Sequence, residues 1–355
     1  MQNNKEAGDL SIMLGDSIKV QSRTSSSYTD EQLLLIEQMG IKYVYTIFED
    51  EDIGYDCKSG KLDSGKAYDA VMRFTERLRK FGLTCTDAGN THIYKNDKMH
   101  LGLEGRDQAI ENYNEFNRIL SKGDIHVGYM TWEPNQVYTS VWAEGKEMHG
   151  GVGRIVDAAE LARRNYTHGR FYSQDEIWSN FEYWLKRVLP VCEEYDIKIS
   201  LHPNDPPVSD VCGISNLITS AESYKRAFKL ANDSPYLGMK MCIGCWLEGG
   251  DKFGKVLDDI RYFVEKGKVL NVHFRNVSST LPKFEETLLE DGYQDMYLLM
   301  KQFVKSDYKG TIHADHVPLW GKGVGTGGST IAWAYSMGYL KGLLNSALDE
   351  VNGKA

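Results

Sequence analysis

Four side chains with metal-binding chemistry close four short apolar runs in the second half of this 355-residue sequence. Residues 197–201 run into His202, 239–241 into Cys242, 269–272 into His273 and 311–314 into Asp315. Two imidazoles, a thiolate and a carboxylate suit a borderline divalent transition ion better than magnesium or calcium, which prefer oxygen. The donors are far apart in sequence, unlike the tight pairs of structural zinc modules, so a catalytic site with open positions is expected. Singly, each is an ordinary core or loop residue. Their recurrence at equivalent strand ends is what points to one ion.

Neighbouring residues offer the rest of a reaction centre. Arg275 and Asn276 follow shortly after His273. An arginine fork grips a carboxylate at two points, and an ion pair with an acidic loop is its ordinary alternative. His316 stands beside Asp315 and titrates in the range useful for proton transfer near neutral pH. His313 alternates with Asp315, so it faces the same way or fills the interior. Trp132, with Glu133, makes a polar and aromatic end to the run 125–131. His92, His100, His126, His149 and His168 are scattered and are expected on the surface or in a lid.

Two motifs are weaker. Cys242 and Cys245 form a CxxC, but a redox or zinc-ribbon role wants a helix after the first cysteine or a second such pair, and neither is apparent. Residues 323–328 read GxGxxG. They follow the last predicted strand with too little chain left for a dinucleotide fold, and suit an anion-binding loop at a barrel mouth no better than a merely flexible one.

Such residues converge only if their strands share one sheet. Residues 11–15 read as a short first strand and 22–29 as a polar connection. A helix at 30–39, a strand at 41–48, a helix at 66–81, a strand at 83–86, a helix at 106–120 and a strand at 125–131 follow. Residues 135–172, glycine-rich around 148–153, look irregular and are expected to be a lid or binding insertion. Ser173 and Glu176 make a capping box opening a helix through 194. Strands at 197–202, 236–242, 269–274 and 310–314 then alternate with helices at 220–230, 252–266, 294–304 and from 329. Eight strands alternating with eight helices predict an α/β protein, a (β/α)8 TIM barrel with loop insertions at its C-terminal face. No linker divides it, so residues 1–355 are expected to form one domain.

Composition removes other classes. An apolar content of 41% supplies a core, yet no run approaches the roughly 18 unbroken apolar residues of a membrane span. The net charge of −9, from 41 basic and 50 acidic residues without a long basic run, argues against a nucleic-acid surface. The first residues lack the apolar segment of a signal peptide, and six cysteines in so long a chain do not make a disulfide scaffold. The cytoplasm is the expected compartment.

Together, His202 through Pro207, Met241 through Gly244, Val272 through Val277 and the pair Asp315–His316 resemble the mannonate dehydratase family, of the superfamily that includes xylose isomerase. The similarity spans roughly residues 41–344. It implies a Mn2+ or Fe2+ ion bound by His202, Cys242, His273 and Asp315. It implies loss of water from a six-carbon aldonic acid to give a 2-keto-3-deoxy acid, and a homodimer. It also implies that His316 and Arg275 take part in catalysis and that Arg275, Asn276, Asn204 and Trp132 hold the sugar acid. Several features differ from the family pattern: residues 321–328 contain no tyrosine, Asn204 replaces an aspartate, residues 15–17 replace an aromatic-basic start of the first strand, and the ends of the third and fourth strands, at 87–89 and 131–134, also depart from it. Two other readings remain at this level. One is a metal-dependent sugar isomerase or epimerase, the other a barrel that only binds a sugar acid.

Overall fold

A computed structural model of the protein describes residues 17–316, 319–320 and 327–353. Eight parallel strands close into a barrel: Lys19–Thr24, Tyr43–Ile47, Thr84–Gly89, Val127–Thr131, Lys198–His202, Leu237–Cys242, Val269–Phe274 and Thr311–Ala314. Each pairs with its sequence neighbour, and the eighth returns to the first. The helices lie between strands, as the alternation predicts. Short caps start them: Thr29, Ser173 and Ser220 each form a reciprocal capping box with the third residue of the helix. Their apolar stripes face the strands. In the Ser64–Lys80 helix the stripe is Val71, Phe74 and Leu78, and in Gln174–Tyr195 it is Ile177, Phe181, Trp184 and Val188. Each such side chain contributes about 1.5–3 kcal/mol by leaving water.

Three local expectations are corrected. The first strand is Lys19–Thr24, overlapping the start of the stretch 22–29 read as a polar connection, while residues 11–15 lie outside the described residues. The strand shows no apolar alternation because its inward Gln21 is fully buried against Thr86, Asp87 and His313. The helix before the seventh strand starts at Val256, since Gly250–Lys252 forms a separate 3-10 turn.

The third concerns residues 135–172, which are not irregular. Val141–Glu144 and Val152–Asp157 pair antiparallel, and Lys283–Thr287 and Asn276–Val277 extend them to a four-stranded antiparallel sheet. Two insertions, after the fourth and seventh barrel strands, thus build one structure at the C-terminal face. Glycines at 145, 150, 151 and 153 masked the period of two. Among the described residues no helix is long and apolar enough to cross a membrane.

Candidate active site

The barrel interior is polar, and its side chains stack in two layers because alternate residues of a strand face the same way. The lower layer centres on Asp87, fully buried in the third strand. Its carboxylate accepts from Gln21, from Thr86 at 2.7 Å, from Tyr129 at 2.5 Å and from Asn271 at 2.8 Å. Lys240 lies 3.9 Å from it and 3.4 Å from the centre of the Tyr129 ring. Burial draws the Lys240 ammonium down to about 8, against the pull of Asp87 and Asp315. Ser200 donates to Asn271 at 2.7 Å, and His313 shares a hydrogen bond with Gln21 at 3.1 Å. His313 therefore fills the barrel.

Two residues further along four of these strands lie His202, Cys242, His273 and Asp315, one above each of Ser200, Lys240, Asn271 and His313. Cys242 and His273 are partners in register. Ligand atoms of His202, Cys242 and His273 all lie within 4.8 Å of one another, as do those of His273, His313 and Asp315. His202 Nε2 is 3.3 Å from His273 Nδ1, which is 3.1 Å from Asp315 Oδ2.

The donor chemistry fits a transition ion. His202 Nδ1 faces the Pro203 carbonyl at 2.7 Å, so Nδ1 carries the proton and Nε2 is left with a lone pair toward its neighbours. Burial alone would push the Cys242 thiol up, but the Cys245 thiol, Arg275, His202 and His273 hold it well below the usual thiol range. Cys245 is displaced the other way, by burial and by Cys242, and remains a donor. The CxxC thus sets one thiolate against one thiol. The helix that seemed missing is present: Ile243–Gly249 begins immediately after Cys242. Gly244 is required there, because a Cβ would stand 2.3 Å from the Arg275 guanidinium carbon. All six cysteines are free.

Behind the donors is a buried charged shell. Arg275 reaches Asp205 and Glu248 at 2.7 Å each and Asp315 at 3.3 Å. Arg154, from the insertion sheet, grips both oxygens of Asp205 at 2.6 and 2.7 Å and lies 3.4 Å from Glu286. Burial raises the Asp205 carboxyl, yet Arg154 and Arg275 outweigh it and hold the group well below the usual range. Asp315 is likewise held low, by His273, His316 and Arg275 against its burial. Glu248 goes up, with burial the main cause. Breaking such a shell strands charge out of water, so each member is positioned by the others.

His316 closes the eighth strand's end with a left-handed backbone, φ 47°, a conformation that costs a non-glycine residue about 1–3 kcal/mol. Its Nδ1 meets Glu286 at 2.5 Å, while Nε2 is 3.7 Å from Asp315, beyond hydrogen-bond range. Burial lowers the imidazole, but Asp315 and Glu286 prevail and raise it above its ordinary value. His316, His202, His273, Asp205 and Asp315 border a cavity of about 370 Å³. Arg23, Tyr45, Lys95, Tyr129, Glu133, Arg154 and Lys240 complete much of its wall.

Four expected substrate contacts sit elsewhere. Arg275 is 2% exposed, and its fork is taken by the chain's own carboxylates. Asn276 is fully buried and donates to the Leu289 and Gln294 carbonyls. Asn204 donates to the Trp132 carbonyl and to Asn216. Trp132 is 1% exposed, stacked on His100 at 4.1 Å and edge-on to Phe181 and Trp184. His100, expected on the surface, is fully buried in the same cluster. Residues 321–326 of the glycine segment lie outside the described residues.

Several cavity residues escaped the sequence reading. Lys240 was detectable, standing two residues before Cys242 on a strand face already assigned inward. Arg154 gave no such signal, and neither did Glu286, the carboxylate behind it, since the two come from opposite insertions that meet only in space.

Comparison with known proteins follows the same line. Residues 155–354, a span holding all four donors, match the family described as D-mannonate dehydratase (UxuA). Mannonate dehydratase of Thermotoga neapolitana is 31% identical over 309 residues, covering 77% of this chain and 84% of the relative. That of Streptococcus suis is 33% identical over 278 residues, covering 71% and 74%. The crystal structure of mannonate dehydratase from Streptococcus suis serotype2 superposes with a TM-score of 0.79 at 23% identity, covering 94% of this chain and 96% of that one. A structure of L-ribulose 3-epimerase superposes with a TM-score of 0.59 at 12% identity, covering 96% and 98%, a likeness of fold alone. By this family match and these relatives, the chain belongs to the mannonate dehydratase family, metal-dependent hydro-lyases that dehydrate a sugar acid.

Proposed function

We propose that this chain removes water from D-mannonate or a close aldonate to give the 2-keto-3-deoxy acid, using one Mn2+ or Fe2+ ion held by His202, Cys242, His273 and Asp315. The observation that carries the reading is the cluster of His202, Cys242 and His273, with Asp315 3.1 Å from His273, beside a cavity of about 370 Å³ that His202, His273 and Asp315 line. Bound there, the ion would polarise substrate oxygens and offset the charge that develops as the proton beside the carboxylate is lost.

The chain's own residues supply the rest. His316 lines the cavity with Nδ1 committed to Glu286, which leaves Nε2 to exchange a proton with the substrate. Arg275 holds Asp315 and Asp205 in place from behind and so positions the ion's ligands, instead of touching substrate. Arg154 does the same for Asp205 from the insertion sheet. That sheet, with Trp142 and Tyr138 over the cavity, acts as the lid. A cytoplasmic homodimer completes the proposal, the subunit count being open to light scattering.

The test is purified protein with Mn2+ and a panel of aldonates. Release of a 2-keto-3-deoxy acid from wild type, lost in His316→Asn with metal content intact, is the expected result. Isomerised sugar without loss of water, or full activity in that variant, overturns it.

A further inference from the structure

The cavity wall carries four cations: Arg23, Lys95, Arg154 and Lys240. Three have a carboxylate facing them. Lys95 meets Glu133 at 2.7 Å, Arg154 meets Asp205 at 2.6 Å, and Lys240 lies 3.9 Å from Asp87. The guanidinium of Arg23 has no ion pair or hydrogen bond among the described residues. Its direction is set by the strand. Gln21, two residues earlier, points into the interior against Asp87 and His313, so Arg23 points the same way one layer higher, at the mouth. In register it stands beside Tyr45, and its strand pairs with the eighth, which leads into Asp315 and His316.

An arginine beside a carboxylate-rich shell would ordinarily be drawn into an ion pair with it. Among the described residues Arg23 instead has no such partner, and its strand stands across the barrel order from the fifth, which leads to Asp205. We infer that Arg23 is the residue that takes the carboxylate of the sugar acid, as a two-point fork, and so fixes which end of the substrate enters against the first strand. The inference rests on the dehydratase reading and deepens it. It transfers to Arg23 the role that the sequence suggested for Arg275, whose fork is already occupied. The polyol chain then extends toward the fourth-strand side of the cavity, where Lys95 and Glu133 pair.

Arg23→Gln and Arg23→Lys, each loaded with Mn2+, test this. For Arg23→Gln the KM for D-mannonate is expected to rise about 10- to 100-fold, with kcat falling far less, and Arg23→Lys to recover part of the loss. Affinity for the uncharged D-mannitol, measured by calorimetry, is expected to be equal in wild type and Arg23→Gln, with metal content and melting temperature unchanged. An unaltered KM overturns the assignment, as does an equal loss of mannonate and mannitol binding, which would make Arg23 a shape-forming residue. If wild type dehydrates no aldonate, the dehydratase reading fails by itself. The comparison of D-mannonate with D-mannitol binding still decides the role of Arg23.

Discussion

Strands five to eight each lead to a proposed metal donor, at His202, Cys242, His273 and Asp315, whereas the inward residues near the ends of strands one, two and four are Arg23, Tyr45 and Thr131. Below both sets runs one shared polar layer around Asp87. The ion is therefore expected against one wall, with the facing wall left for substrate. A barrel divided in this way can keep its metal chemistry while its substrate wall changes, because the two sets lie on different strands. The division also separates what substitutions should do: at the four donors of strands five to eight they remove metal, and on strands one to four they change binding or stability and leave metal in place.

The largest effect is expected at Cys242. Cys242→Ala removes a thiolate held low by four neighbours, and metal affinity should fall about 100-fold or more, with turnover lost in parallel. Metal analysis after dialysis measures it. Full metal content in that variant would take Cys242 out of the ligand set and blur the division between the halves.

That division also explains what could be read from the sequence. Donor residues are rare types, so four of them at strand ends stand out, and the strands that carry them are apolar enough to be recognised. The substrate wall is built from ordinary residues, and its first strand is polar on its inner face through Gln21, so neither strand nor Arg23 could be found by hydrophobic period. The helix after Cys242 was missed because its seven residues are too few and too glycine-rich to show a pattern. Asn204, Asn276 and Trp132 misled in the opposite way. They stand beside chemical residues in sequence, but their side chains satisfy backbone carbonyls or fill the core.

A second prediction concerns stability on the metal side. Asp205 is the carboxylate that Arg154 and Arg275 share. Asp205→Asn keeps the shape and removes the charge, leaving two buried guanidiniums short of a partner, and should cost about 3–5 kcal/mol in urea denaturation of the metal-free protein. A loss below about 1 kcal/mol would mean that Glu248 and Glu286 suffice for both arginines. On the other side, Tyr129→Phe deletes one donor to the buried Asp87, with an expected loss of about 1–3 kcal/mol. Metal stoichiometry should not move. If metal is lost with it, the lower layer couples the halves and they are not independent.

The smallest effect is a slope. His100 belongs to the aromatic cluster behind the fourth strand, where burial and Lys95 push its imidazole down to about 3. It is therefore neutral in the folded protein, while the unfolded chain takes up a proton as pH falls below about 6.5. Between those values the unfolded state binds more protons, so stability is present at neutral pH and declines on acidification by up to about 1.4 kcal/mol per pH unit. His100→Phe keeps the stacking on Trp132 and removes the titration. Whatever constant packing penalty the larger ring incurs cancels when each protein is compared with itself at pH 7 and pH 5. The variant should lose less stability over that interval than wild type, with identical metal content. Equal losses would show that the acid sensitivity comes from elsewhere, with the carboxylates around Arg154 and Arg275 the first place to look, and would move this part of the pH dependence to the metal side of the barrel.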